Sequence, residues 1–208
     1  RQLIAQDFVE ALNYAFVDAS MLEKWNLTDG KVALANPLSA ELAVMRTSLL
    51  PGLAAAAQRN RARQHQRVRL FEIGRVFHAT ADAPRETQRI AAIAMGAALP
   101  EQWGAKSREV DFADMKAVVE GLLGLSAAQV EFRPADDAFG HPGRSARIWR
   151  EGRQIGWIGH LHPRLARALD LDGEVLAFEL DVEPLVARAL PRAGEVSRFP
   201  WVRRDLAL

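Results

Sequence analysis

Two β-rich runs, residues 146–150 and 154–159, flank the dipeptide Glu151-Gly152. A joint that short closes as a tight hairpin and forces its strands to run antiparallel, because a parallel return needs a crossover of about a dozen residues or more. Further β-rich runs occupy residues 68–77, broken only by Gly74, and residues 90–95, 130–133 and 175–182. Residues 11–17 and 32–34 read as shorter strands. Several of these are linked by hairpins or irregular loops, so the expected fold is α+β, a mainly antiparallel sheet with helices on its faces and not a doubly wound parallel one. With 49% apolar and 25% charged residues among 208, a disordered or fibrous chain is excluded. Cysteine is absent, which removes disulfide frameworks and thiolate metal sites.

The helices announce themselves through caps. Asp18 is placed to cap a short helix running through Trp25, and Asp111 one whose apolar positions are Phe112, Met115, Val118, Val119, Leu122 and Leu123, ending at Gly124. The first ten residues read as the end of another. Ser48 stands as an N-cap, with Pro51 in the first turn, where its missing N–H costs nothing. Leu49, Leu50, Leu53, Ala54 and Ala57 form one apolar stripe on the helix that follows, to about residue 63. Its small residues suit close approach of another helix. His162-Pro163 and Glu183-Pro184 open two more short helices. Residues 192–195 read as a linker, which puts a domain boundary near residue 195. Arg1 follows no charged-then-apolar leader and residues 204–208 read as the opening of a strand, so the chain is expected to be a piece of a longer cytosolic protein. No apolar run approaches the ~20 residues that span a bilayer.

No phosphate-cradling loop, dinucleotide fingerprint, paired-histidine zinc motif or nucleophile elbow is present. For His160 and His162, hydrogen bonding at a strand end is preferred over metal ligation. The densest charge feature is Arg59, Arg61, Arg63, His65, Arg67 and Arg69. A solvated helix end is preferred there, with RNA contact through Arg59, Arg61, Arg63 and Arg67 as the alternative. Net charge is only +1, so the molecule as a whole does not argue for nucleic acid.

Taken in series, several segments carry a resemblance. They are Asn13-Tyr14-Ala15-Phe16-Val17, Asn36-Pro37-Leu38-Ser39, Met45-Arg46-Thr47-Ser48-Leu49-Leu50-Pro51-Gly52-Leu53 and Asn60-Arg61. Leu70-Phe71-Glu72-Ile73-Gly74-Arg75-Val76-Phe77, Asp111-Phe112 with Lys116, and His141-Pro142-Gly143-Arg144-Ser145-Ala146 follow. Ile155-Gly156 with Gly159, His162-Pro163, and Phe199-Pro200 with Arg203-Arg204-Asp205 complete the series. In this order and spacing they closely resemble the beta subunits of bacterial phenylalanine–tRNA ligases, over essentially the whole chain. The resemblance implies a class II synthetase-like core over residues 1–195. It implies the truncated start of a ferredoxin-fold anticodon-binding domain over residues 196–208. It also implies an alpha subunit as partner and catalyst, tRNA as a partner of the whole enzyme, and no membrane. ATP and magnesium belong to the whole enzyme, with neither held by this piece.

The resemblance also implies inactivity. Class II sites hold the ATP α-phosphate with an arginine in a Phe-Arg-x-Glu motif. Here Phe77 is followed by His78, and Thr80 stands where the glutamate belongs. An imidazole lacks the planar fork that grips phosphate oxygens two at a time. The expected role is therefore packing against the alpha subunit, through the class II motif 1 region at Leu49, Leu50, Leu53, Ala54 and Ala57, while holding RNA-binding domains in register. Exposure of that stripe leads to an expectation of self-association when the piece is isolated. Two alternatives remain open: an autonomous class II enzyme using Arg75 or Arg144, and an RNA-binding module driven by the 59–69 cluster.

Overall fold

The computed structural model describes residues 1–104, 106–124, 130–186 and 202–205. Seven strands form one sheet: β1 (Val9–Glu10), β4 (Val68–His78), β5 (Arg85–Met95), β9 (Leu176–Asp181), β8 (Arg153–Leu161), β7 (Gly140–Arg150) and β6 (Val130–Pro134), in that spatial order. Every pairing is antiparallel except β1 with β4. A second, two-stranded sheet joins β2 (Phe16–Val17) to β3 (Val44–Met45). At the β7–β8 joint Glu151 and Gly152 both take positive φ, 52° and 77°, the left-handed pair a two-residue hairpin requires.

Alternation along the strands gives the sheet two apolar faces. Val68, Leu70, Val76, Ala91, Ile93, Met95 and Ala177 point to one, beneath α2 (Leu50–Ala62) and α4 (Pro163–Ala168). Phe71, Ile90, Ala92, Ala94, Ile158, Leu176, Phe178 and Leu180 point to the other, beneath α3 (Phe112–Leu123). Asp111 caps α3 as expected, and Asp114 returns the bond to the Asp111 backbone N–H, completing a capping box. Asp18 caps α1 (Ala19–Lys24) by accepting from the Ser20 N–H. The helix opened by Glu183-Pro184 is α5 (Glu183–Val186). The linker at 192–195 lies outside the described residues.

Four local expectations change, and residues 32–34 are the first: they form no strand, only an isolated bridge from Ala33 to Val44. The opening is a single 3₁₀ turn, Ile4–Gln6, stopped by Asp7 in the left-handed region at φ 63°. Residues 11–15 lie outside any strand: the Ala11 N–H bonds the Phe71 carbonyl and the Ala15 carbonyl accepts from the Arg46 N–H, with side chains holding the stretch between. Asn13 donates to Glu72 at 2.7 Å and the Arg46 guanidinium reaches the Asn13 carbonyl. Finally, Gly74 does not break its strand. A Cβ there would collide with the Arg46 guanidinium, so the glycine opens a passage for that side chain across β4.

Candidate functional site

The polar side chains on the α2 side of the sheet converge where α2 begins. Arg46 precedes the helix and lies over β4, bonding Glu72 Oε1 at 2.6 Å and the Arg75 carbonyl at 2.9 Å. Both partners of the ion pair are buried, with 8% and 3% of their side chains exposed. One strand further, Arg89 on β5 bonds Glu179 at 2.8 Å and Asp181 at 3.0 Å, both on β9. Burial works against the charge of Arg89, but the two carboxylates outweigh it and hold the guanidinium more firmly protonated than usual. Glu179 uses its other oxygen on α2: it accepts from the Leu49 N–H at 2.7 Å and the Ser48 hydroxyl at 3.1 Å. Ser48 Oγ in turn accepts from the Leu50 N–H, but the N-cap falls on Leu49, one residue later than expected, and makes no side-chain capping bond.

His78, the residue expected to stand at motif 2, ends β4 on the same face as Glu72 and Val76. Burial pushes its imidazole below the ordinary value of 6.5, and Arg89 pushes it further. Phe77 faces the other way, half-buried, and its N–H bonds the Arg46 carbonyl. Thr80 lies in the exposed turn beyond, with its hydroxyl donated to the Ala83 carbonyl. His78 therefore looks onto an array whose cations are already saturated by the chain's own carboxylates. Sequence reading found His78 and missed Arg46, Glu72, Arg89, Glu179 and Asp181. Glu72 and Arg46 stand within segments that carry the family resemblance, but nothing local pairs residues this far apart.

The apolar stripe on α2 requires correction. Leu49, Leu50, Leu53, Ala54 and Ala57 are all 2% exposed or less, packed on the sheet in the core of this chain. An amphipathic helix shows that something covers its apolar side, and here that cover is β4, β5 and β9. Those side chains are unavailable to a subunit, and the motive for self-association through them disappears. The apolar side chains that do stand exposed include Leu12 (89%) and Tyr14 (77%), near the β1 edge, and Ile73 on β4 (44%).

The basic cluster is likewise divided. Arg67 bonds the Ala97 carbonyl and pairs with Asp7 at 3.2 Å. Arg69 bonds the Ala98 carbonyl at 2.8 Å and lies over the Phe8 ring. Both brace the loop after β5, so the Arg67 guanidinium is already engaged within the chain. Arg61 closes the turn after α2 by donating to the carbonyls of His65 and Gln66. Arg59 and Arg63 remain exposed.

A second polar cluster lies at the far end of the sheet. Arg144 grips Glu174 with two bonds of 2.6 and 2.9 Å, beside His160, whose ring is buried with Nδ1 3.6 Å from Glu174. Burial and Arg144 lower the His160 pKa. His162 accepts from the Arg164 N–H as the cap of α4, the strand-end role expected of it. Among the described residues no three His, Asp or Glu side chains converge to hold a metal ion.

His78 and His160 give a pH signature. A histidine kept neutral by burial binds its proton less readily folded than unfolded, so the stability it contributes is present above 6.5 and drains away as pH falls below that value. Asp114, held at about 2 by its Arg108 hydrogen bond, adds a second loss from about 4 downward. Urea unfolding at successive pH values is expected to show both windows, and His160→Gln should flatten the upper one. A profile level from pH 7.5 to 5 contradicts the assignment.

With the geometry in hand, comparison with known proteins is direct. Residues 1–182 match the family described as the phenylalanyl tRNA synthetase beta chain CLM domain. The whole chain is 62% identical over 210 residues to the phenylalanine–tRNA ligase beta subunit of Xanthomonas axonopodis pv. citri (strain 306). It is 55% identical over 210 residues to that of Xylella fastidiosa (strain 9a5c). In both cases it spans 26% of the relative's length. Among solved structures, a pyrrolysyl tRNA synthetase from Desulfitobacterium hafniense superposes with a TM-score of 0.62 at 16% identity, over 89% of this chain and 62% of that one. The fold is that of a class II synthetase-like core, an antiparallel sheet flanked by helices.

Proposed function

The chain belongs to the CLM-domain family of phenylalanyl tRNA synthetase beta chains, and on that premise we propose that it is a non-catalytic, synthetase-shaped module of a two-subunit ligase. Residues 1–195 form the module, and residues 196–208 begin an anticodon-binding domain. An alpha subunit supplies the ATP and phenylalanine site. The module packs against it and carries the tRNA-binding domains of the full beta chain. Leu12, Tyr14 and Ile73 are among the exposed apolar side chains that such packing would cover.

The observation that carries this reading is the closed array under α2. A nucleotide's α-phosphate needs a guanidinium with free donors aimed at it. Position 78 offers an imidazole, and its neighbours Arg46 and Arg89 are held by Glu72, Glu179 and Asp181. A triphosphate entering there meets three carboxylates. The residues present do not fit ATP, and no step through it is derived. The autonomous-enzyme alternative fares no better on geometry. Arg75 on β4 is paired with Glu86 on β5, and Arg144 on β7 with Glu174 in the loop before β9. With β5, β9 and β8 between them, strands β4 and β7 lie about 19 Å apart at ~4.8 Å per strand.

The test is phenylalanine-dependent ATP–pyrophosphate exchange by the 208-residue chain. Background exchange is expected, and it should stay at background in His78→Arg/Thr80→Glu, since a restored arginine pairs with the acids around it. Exchange above background that Arg75→Gln or Arg144→Gln abolishes overturns the proposal. Co-expression with the alpha subunit is expected to draw the chain into a complex.

A further inference from the structure

We infer that the C-terminal end of α2 presents a phosphate-contacting surface, centred on Arg59 and Arg63, that takes the backbone of an RNA. From residue 42 to residue 71 the sequence has no aspartate or glutamate, yet it contains Arg46, Arg59, Arg61, Arg63, Arg67 and Arg69. Four of these arginines are engaged within the protein. Arg46 is buried on Glu72, Arg67 and Arg69 hold the loop after β5, and Arg61 clamps the turn at residues 65 and 66. Arg59 and Arg63 are left. They stand four residues apart, hence on one face of the helix, and both are exposed. Among the described residues neither guanidinium has a hydrogen bond or an ion pair.

Several exposed arginines elsewhere are neutralised, although Arg1, Arg85, Arg164 and Arg167 have no ion pair among the described residues either. Arg75, Arg108, Arg133, Arg144 and Arg153 each have a carboxylate within 3.1 Å. A chain of net charge +1 that neutralises those guanidiniums keeps an acid-free cationic tip at one helix end. Complementing the helix dipole accounts for one or two cations in the last turn, a task Arg61 already serves from inside the turn. It does not account for the exclusion of every acid from the flanking segments. Two forked guanidiniums side by side, with no competing carboxylate, suit consecutive phosphates of a polynucleotide. That the polynucleotide is tRNA rests on the ligase-subunit reading; the charge pattern itself does not.

The experiment uses the complete two-subunit ligase carrying Arg59→Gln/Arg63→Gln, with a tRNA transcript as probe between 50 and 200 mM salt. Loss of two phosphate contacts is expected to weaken binding about tenfold at low salt. It should also make the slope of log affinity against log salt shallower by about 1.8. Amino-acid activation and subunit assembly should match the unaltered enzyme. Arg59→Lys/Arg63→Lys, which keeps the charges, should restore the salt slope. Unchanged affinity and slope in an assembled enzyme overturn the inference. So does a double variant that loses the alpha subunit, because the patch then belongs to a protein contact. Failure of the ligase-subunit reading is separately visible, as failure of the unaltered chain to assemble.

Discussion

Arg46→Met is expected to destabilise the fold by about 3–5 kcal/mol, the usual cost of stripping one partner from a buried ion pair. The change leaves Glu72 charged, buried and short of its 2.6 Å partner, with only Asn13 donating to it. It also releases the Arg75 carbonyl. Urea unfolding monitored by circular dichroism measures the loss, and Arg46→Met/Glu72→Met should recover much of it, because no uncompensated charge remains. Gly74 supplies an internal check. In the natural background Gly74→Ala should itself be costly, since the new methyl occupies the path of the guanidinium. In the Arg46→Met background the same change should cost far less. Additive losses would mean that Gly74 serves some other purpose.

Glu179→Ala is the second large effect, on the order of 3 kcal/mol, and it reaches two elements at once. The carboxylate ties β9 to β5 through Arg89 and fastens the start of α2 through the Leu49 N–H and the Ser48 hydroxyl. Removing it strands a buried N–H and leaves Arg89 with Asp181. Glu179→Gln keeps an acceptor for Leu49 but not the charge, so it should lose less, about 1–2 kcal/mol. Hydrogen exchange separates the two functions: the alanine variant should lose protection in the first turn of α2, the glutamine variant should retain it. Equal exchange in both variants would show that the carboxylate does not anchor the helix.

What could be read from the sequence was local. Asp18 and Asp111 cap helices through bonds to residues two and three positions away, and Glu151-Gly152 sets a hairpin by its own backbone angles. Such signals need no knowledge of the rest of the fold. The resemblance carried the family and the class II architecture. The array around His78 was not legible, because its bonds join residues 26, 90 and 130 positions apart. The stripe on α2 shows the opposite failure. Leu49, Leu50, Leu53, Ala54 and Ala57 were recognised correctly as apolar and contiguous, but periodicity cannot say whether a sheet of the same chain or a neighbouring subunit lies against them. Arg67 and Arg69 looked like free cations for the same reason: the carbonyls at 97 and 98 that occupy them lie on a different strand connection.

The last strand of the sheet to be synthesised sits at its centre. β1, β4 and β5 form one half, β8, β7 and β6 the other, and β9 is the sole ladder between them. A ribosome therefore releases two half-sheets, each with an open hydrogen-bonding edge, well before the segment that unites them emerges. Nascent chains halted short of residue 176 should be captured by chaperones or aggregate. Passage of about six further residues from the exit tunnel, Leu176–Asp181, converts two adhesive fragments into one closed body.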